Sequence, residues 1–395
     1  MKIMLIQDSP YVTTLTGASK ADRLLIENLT DKKHICRVVS PLSALISFRD
    51  RRITNFIYKF LYGHGRINFS SYGIDTYFYE QGVEIHYVTS NLQLSNSLRW
   101  QICQFQPDCI LLSSYNPGQP LLEPTLNAAD SLPVLILAHA AFLLPFGPLS
   151  FFVNSNHTKL FQQVSGIITV SKYMKNYIKQ WSGLDSIVVP FPVYGSSPFA
   201  KYENFDKGFV TLVNPCSFKG LSIFLALAQE FTNTQFAVVP GWGTTRKDLI
   251  NLKRLPNVKI LRWFQDIEQL LSQTRILLAP SLCHEAFGII VVEAMLRGIP
   301  VLASDAGGLP EAKLGIDYVL PVRPIENYEE PLKDHIRLVP IIPHQDISLW
   351  SETLKKLLSD RQHYQQLSIA SREAALTYIS KIAIEDFENI LQSVC

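Results

Sequence analysis

Short runs built almost wholly of apolar residues recur along the chain, and they constrain the sheet it can form. CILLS (Cys109–Ser113), VLILA (Val134–Ala138) and GIITV (Gly166–Val170) show no alternation of apolar and polar positions. A strand with one wet face alternates. A run that does not is buried on both faces, as parallel strands covered by helices are. Helical patterns separate the runs. Ile3–Ile6 reads as a strand, followed by a loop over Asp8–Gly17 and a helix near Ala18–Leu29. Ser171 is placed to cap a helix running to about Trp181. The expectation is a series of parallel βαβ units.

After a last short strand at Val188–Pro190, the pattern restarts. Pro190–Asp206 is rich in proline, serine and aromatic residues and reads as a linker. A second series follows: Phe209–Val213, Phe236–Val239, Val258–Leu261, Ile276–Ala279 and Pro300–Ala303, with helices between them. The expected boundaries are a first domain over 1–190, a linker over 191–207 and a second domain over 208–370. A closing helical stretch over 371–395 has no strand after it and is expected to return to the first domain. The fold class is α/β, with two doubly wound domains in tandem. Ligands of such sheets bind beyond the carboxyl ends of the strands, and the natural site lies in a cleft between two facing sheets. Arg323–Asp346 reads as an irregular, proline-containing excursion.

Bulk properties agree. The chain has 395 residues, 47% hydrophobic and 18% charged, with a net charge of +2. That is a globular composition, without the basic excess a nucleic-acid partner would call for. Of the six cysteines (Cys36, Cys103, Cys109, Cys216, Cys283 and Cys395), none forms a CxxC pair or a zinc-like spacing with histidine. The expectation is reduced thiols in a cytoplasmic enzyme, with no bound metal. MKIMLIQDSP reads as a first strand rather than a signal peptide, and no apolar stretch approaches the ~20 residues a membrane span needs.

The chemistry concentrates in Ser281–Glu311, SLCHEAFGIIVVEAMLRGIPVLASDAGGLPE. A strand ends at Pro280. A loop with an acid and a glycine follows, and then a helix opens at IIVVEAML. Small residues at a helix start leave backbone N–H groups pointing outward, a site that suits phosphate. Glu285 sits in that loop and Glu293 about two turns along the helix. Two carboxylates flanking a phosphate site suit a ligand with hydroxyl-rich groups on either side of a diphosphate, which describes a nucleotide sugar. Ordinary turns and a surface glutamate are the competing reading.

This run resembles the signature of family-4 retaining glycosyltransferases, glycosyl transferases group 1, which have the GT-B fold of two Rossmann-like domains facing each other across a cleft. Glu285 and Glu293 meet its E-x7-E pattern, and Phe287, Gly288, Gly298, Pro300, Gly307, Gly308 and Glu311 match beside them. The resemblance implies that Glu285 contacts donor-sugar hydroxyls and Glu293 the ribose. The N–H groups around Ala286, Phe287, Gly288 and Ile289 would meet the diphosphate or sugar. Lys219-Gly220 resembles the family's phosphate lysine, which would offset charge on the leaving diphosphate. A solvated lysine opening a helix is the alternative. The family commonly has arginine five residues earlier, where this chain has Asn214.

Gly241 in VPGWG and Phe264 in Arg262-Trp263-Phe264 resemble loops that contact the nucleotide base. Core packing explains Trp263 equally well. His139, at the end of VLILA, resembles an N-domain histidine that touches the donor sugar. Gly17 keeps one glycine of a usual pair, and a plain helix-opening turn is an equal reading.

The implied activity is metal-independent transfer of a sugar, most simply a hexose from a UDP-sugar. The acceptor is a hydroxyl of a glycan, a lipid or a small molecule, and the anomeric configuration is retained without a further cofactor. Two alternatives stay open: a nucleotide-sugar epimerase or hydrolase of the same fold, and a degenerate, non-catalytic module. The basic, aromatic stretch Phe48–Arg66 is a candidate for weak contact with the inner face of a membrane, although a solvated helix or an acceptor loop explains it as simply.

Overall fold

The computed structural model of the chain describes all residues except 13–15, 42–65, 71–72, 89–93, 196, 263–265, 330–338 and 395, with residues 66–70 and 73–76 described by their backbone alone. The chain divides into two compact units, Met1–Val193 with Ile382–Cys395, and Tyr194–Lys381.

The first unit is built on a sheet that, among the described residues, has nine strands: β1 (Lys2–Gln7), β2 (Ile35–Pro41), β3 (Arg66–Ser70), β4 (Gly73–Glu80), β5 (Val83–Val88), β6 (Cys109–Ser113), β7 (Val134–Ala138), β8 (Gly166–Thr169) and β9 (Ile187–Val188). Their order is β3-β4-β5-β2-β1-β6-β7-β8-β9. The pairs from β5 through β9 are parallel, and β3–β4–β5 is antiparallel. β6 and β7 are buried at every position, which is why they carry no alternation. The antiparallel edge was not anticipated. Its β4–β5 turn is a two-residue loop, Gln81-Gly82, with φ of 51° and 77°, the mirror-image geometry that suits a tight hairpin.

The helix α1 (Gly17–Asp31) opens on a reciprocal cap. Thr16 Oγ1 accepts from the Ser19 N–H at 3.1 Å, and Ser19 Oγ accepts from the Thr16 N–H at 3.1 Å. Its buried face carries Ala21, Asp22, Leu25, Ile26 and Leu29. A second helix, Lys172–Ser182, is capped by Ser171, whose hydroxyl accepts from the Met174 N–H at 3.1 Å.

The six-stranded sheet of the second unit is parallel throughout among the described residues. β10 (Phe209–Val213), β11 (Phe236–Val239), β12 (Val258–Ile260), β13 (Thr274–Ala279), β14 (Val301–Ser304) and β15 (Val319–Leu320) lie in the order β12-β11-β10-β13-β14-β15. Counted along the chain this is 3-2-1-4-5-6, the dinucleotide-binding order. Its core joins Val210, Leu212, Ile276 and Leu278 to Phe224, Phe236, Trp350 and Leu354.

The closing stretch from Ser371 is not one helix. Ser371 lies within the helix Arg361–Ile379 of the second unit, and a separate helix, Ile384–Val394, belongs to the first. The reason is packing. Tyr378 is held by Tyr194 and Phe287 of its own unit, with ring centroids at 6.2 and 5.7 Å. Phe387 and Leu391 are fully buried in the other unit, where Phe387 meets Phe191 edge-on at 5.1 Å. Each such side chain contributes roughly 1.5–3 kcal/mol on burial. Among the described residues, no helix is long and apolar enough to cross a membrane.

Candidate active site

In the second unit the strand order reverses between β10 and β13, and the loops leaving those two strands diverge. A doubly wound sheet opens its ligand crevice at such a switch point. The sequence delivers Asn214, Cys216 and Lys219 there from β10, and Ser281, Cys283 and Glu285 from β13. The two loops are forced close. Gly220 has φ of 74°, and a Cβ on it would stand 1.8 Å from the Pro280 carbonyl oxygen. No other residue fits there.

That approach brings two of the expected residues together. The Lys219 ammonium donates to Glu285 Oε1, and Ser281 Oγ donates to the same oxygen at 2.6 Å. The pair is half-buried, with side chains 25% and 17% exposed. Burial alone would lower the Lys219 amine; the charge of Glu285 overrides it and holds the amine above its ordinary value. Burial would likewise raise the Glu285 carboxyl, and Lys219 and Ser281 hold it low. Both groups are therefore charged. The neighbouring Cys283 thiol is pushed up by burial and by Glu285, which favours its protonated form.

Beyond Glu285 the loop runs through Ala286 and Phe287 to Gly288, which caps the helix Ile289–Leu296 with φ of 111°. The backbone N–H groups of Phe287, Gly288 and Ile289 have no hydrogen-bond partner among the described residues. They are the orphan donors of a helix start, aimed where an anion is favoured. Gly307 keeps this loop in place. The Gly308 N–H donates to the Glu285 carbonyl at 2.7 Å, and a Cβ on Gly307 would meet that same carbonyl oxygen at 2.4 Å.

The helix itself is apolar all round, with Val291, Val292, Ala294, Met295 and Leu296 at 0% exposure. Glu293 is its one acid and is only 5% exposed. A core helix gains nothing from a carboxylate, which costs free energy to bury. Glu293 lies near Tyr194, whose phenol is raised by burial first and then by Tyr378 and Glu293.

Asn214 adopts φ of 57° and is 5% exposed. Its Oδ1 accepts from the Gly243 N–H at 2.9 Å, bracing the turn that contains Gly241. Its Nδ2 has no partner among the described residues. A Cβ on Gly241 would stand 2.8 Å from Asn214 Oδ1, so this turn runs tight against the Asn214 side chain. Phe264 and Trp263 lie outside the described residues, as does the stretch 48–65.

In the first unit, His139 follows β7 and its ring is almost fully buried. Its Nε2 bonds to Asp22 Oδ1 at 2.7 Å, and the Tyr115 hydroxyl donates to Asp22 Oδ2. Asp22 comes from the buried face of α1. Sequence reasoning missed it and Tyr115; an acid on the core face of an amphipathic helix was the available signal. Asp8, after β1, accepts from Ser114 Oγ at 2.7 Å and from the Tyr115 N–H at 2.6 Å, and burial raises its carboxyl. Gly17 is the exposed first residue of α1, behind the Thr16 cap.

Comparison with known proteins bears on the family and the fold. The family model described as Glycosyl transferases group 1 matches residues 208–335. Over 107 residues the chain is 28% identical to D-inositol 3-phosphate glycosyltransferase of Corynebacterium diphtheriae, an alignment spanning 27% of this chain and only 20% of that relative. Among solved structures, sucrose-phosphate synthase of Thermosynechococcus elongatus superposes with a TM-score of 0.70 at 15% identity, covering 99% of both chains. HepE of Anabaena, in complex with UDP and glucose, gives 0.66 at 16% identity and covers 100% of both. At such identities the likeness is one of fold. The second unit thus carries the match to glycosyl transferases group 1, on a chain whose fold is that of the GT-B glycosyltransferases.

Proposed function

We propose that the protein is a retaining glycosyltransferase that moves a sugar, most simply a hexose, from a UDP-sugar to an acceptor hydroxyl. The observation that carries this reading is the Lys219–Glu285 ion pair beside the unpartnered N–H groups of Phe287, Gly288 and Ile289. Before a donor arrives, amine and carboxylate compensate each other. A bound nucleotide sugar divides them, drawing Lys219 to the diphosphate and Glu285 to the sugar hydroxyls.

The free N–H groups hold the diphosphate, and Glu293 takes the ribose hydroxyls. Asn214 replaces a cation with a neutral amide, and Gly241 lies toward the base. His139 accepts a hydrogen bond from the donor sugar. The protein supplies position and charge stabilisation. The leaving phosphate takes the proton of the acceptor hydroxyl on the face it departs from, which retains configuration and needs no metal. Favouring uridine draws on HepE, which was solved with UDP.

Incubation with UDP-, GDP-, ADP- and dTDP-sugars in the presence of EDTA tests the reading, with the product anomer identified by NMR. The proposal expects binding and turnover with a UDP-sugar and an unchanged anomeric configuration. Failure to bind any nucleoside diphosphate, or an inverted product, would overturn it.

A further inference from the structure

The first unit holds a buried polar cluster that three elements converge to build. Asp22 is on α1, Tyr115 follows β6 and His139 follows β7. The Asp22 side chain is 0% exposed and that of His139 3%. Both carboxylate oxygens are used, one by His139 Nε2 at 2.7 Å and the other by the Tyr115 hydroxyl. Asp8 in turn fixes Tyr115 through its backbone N–H. The His139 ring is walled by Tyr115, stacked with centroids at 6.1 Å and an interplanar angle of 7°, and by Phe191 at 5.3 Å. A structure that only needed to fill this space would use apolar side chains, because a buried carboxylate is costly unless fully bonded.

We infer that Asp22 is a positioning residue, which fixes His139 as the Nε2–H tautomer and presents Nδ1 as a hydrogen-bond acceptor for a sugar hydroxyl. The inference rests on the proposed glycosyl transfer for the identity of the ligand, and on this unit alone for the geometry. A carboxylate oxygen only accepts, so the ring nitrogen facing it carries the proton. In the neutral tautomer the lone pair then lies on Nδ1, which no described residue occupies. Tyr115 saturates the second carboxylate oxygen and holds Asp22 in this pose. The acceptor face of His139 is therefore set by a residue that never touches the ligand.

The test is 15N-imidazole NMR of the full chain, with the His139 signal assigned by its loss in His139→Gln, alongside steady-state transfer. The wild type is expected to show the Nε2–H tautomer. Asp22→Asn, which can offer an N–H to the ring, should shift it toward Nδ1–H and lower kcat by roughly 10–100-fold with KM little changed. Tyr115→Phe keeps the Asp22–His139 bond and should keep the wild-type tautomer. An Nδ1–H ring in the wild type overturns the inference, even if Asp22→Asn fails to fold. So does Asp22→Asn with wild-type kcat. A wild type that transfers no sugar sinks the proposed function instead, and leaves the spectrum to judge Asp22.

Discussion

The two units reverse their strand order in the same way and fill the resulting crevice oppositely. In the second unit the loops after β10 and β13 carry a lysine, glycines and free N–H groups, all of which favour an anion. In the first, the equivalent place after β1 and β6 holds Asp8, half-buried and bonded to Ser114 and Tyr115. Among the described residues no cation pairs with Asp8, and a carboxylate so placed repels a phosphate. Topology makes both places available, and on the proposed reading the side chains fit only the second to a diphosphate.

The sharpest way to break this contrast is to remove the cation. Lys219→Ala should lower kcat by roughly 10²–10³-fold, the usual cost of one charge-stabilising group at a transition state. Steady-state transfer measures it, and near-wild-type turnover would contradict the role given to Lys219.

Buried charge separates the units again. Lys313 is fully buried in the second unit, with Nζ donating to the Val301 carbonyl at 2.6 Å, and burial pulls its amine down to about 7. The folded state therefore releases a proton that the unfolded chain keeps until near its ordinary value. Stability attributable to this group rises as pH climbs from about 7 toward the unfolded value near 10.5. Lys313→Met should stabilise the second unit by about 2–4 kcal/mol near pH 7, with the gain shrinking toward pH ~10. Thermal melts across that range check it, and a gain that grows with pH would have the wrong sign.

That the Lys219 and Glu285 loops matter together was legible in the sequence, and the fold brings the two side chains into an ion pair. The motif from Ser281 to Glu311 combines glycines whose Cβ would collide with backbone and acids at fixed spacing, and both are local features. The strands of both sheets that are buried on two faces announced themselves as unbroken apolar runs. What stayed hidden depends on distant contacts. Asp22 and His139 are 117 residues apart, and neither spacing nor composition joins them. The β4–β5 hairpin lacks the unbroken apolar run that marks the strands buried on both faces. Lys313 looks like any surface lysine until the fold encloses it. Asn214 read as a missing arginine, whereas the fold uses its amide oxygen to brace the turn at Gly243.

That last point yields a smaller test. Asn214→Arg would restore the family's usual residue, but its site is enclosed by Gly241 and Gly243. The substitution should cost about 1–3 kcal/mol by overpacking and bring no gain in transfer. Melting and turnover measured together decide it, and a stable, faster enzyme would refute the bracing role. Smallest of all is Asp8→Asn. One hydrogen bond weakened should cost about 1 kcal/mol and leave nucleotide affinity unchanged. A tighter or weaker grip on UDP would bring the first unit's switch point into the donor site.

The central claim is that the second unit's switch point is the nucleotide site. Calorimetric titration of UDP into the wild type and Glu293→Ala tests it most directly. The account predicts one site per chain in the wild type and clearly weaker binding in the variant, in line with a lost charge-assisted hydrogen bond of roughly 1.5–3 kcal/mol. Equal affinity in the two proteins would contradict it.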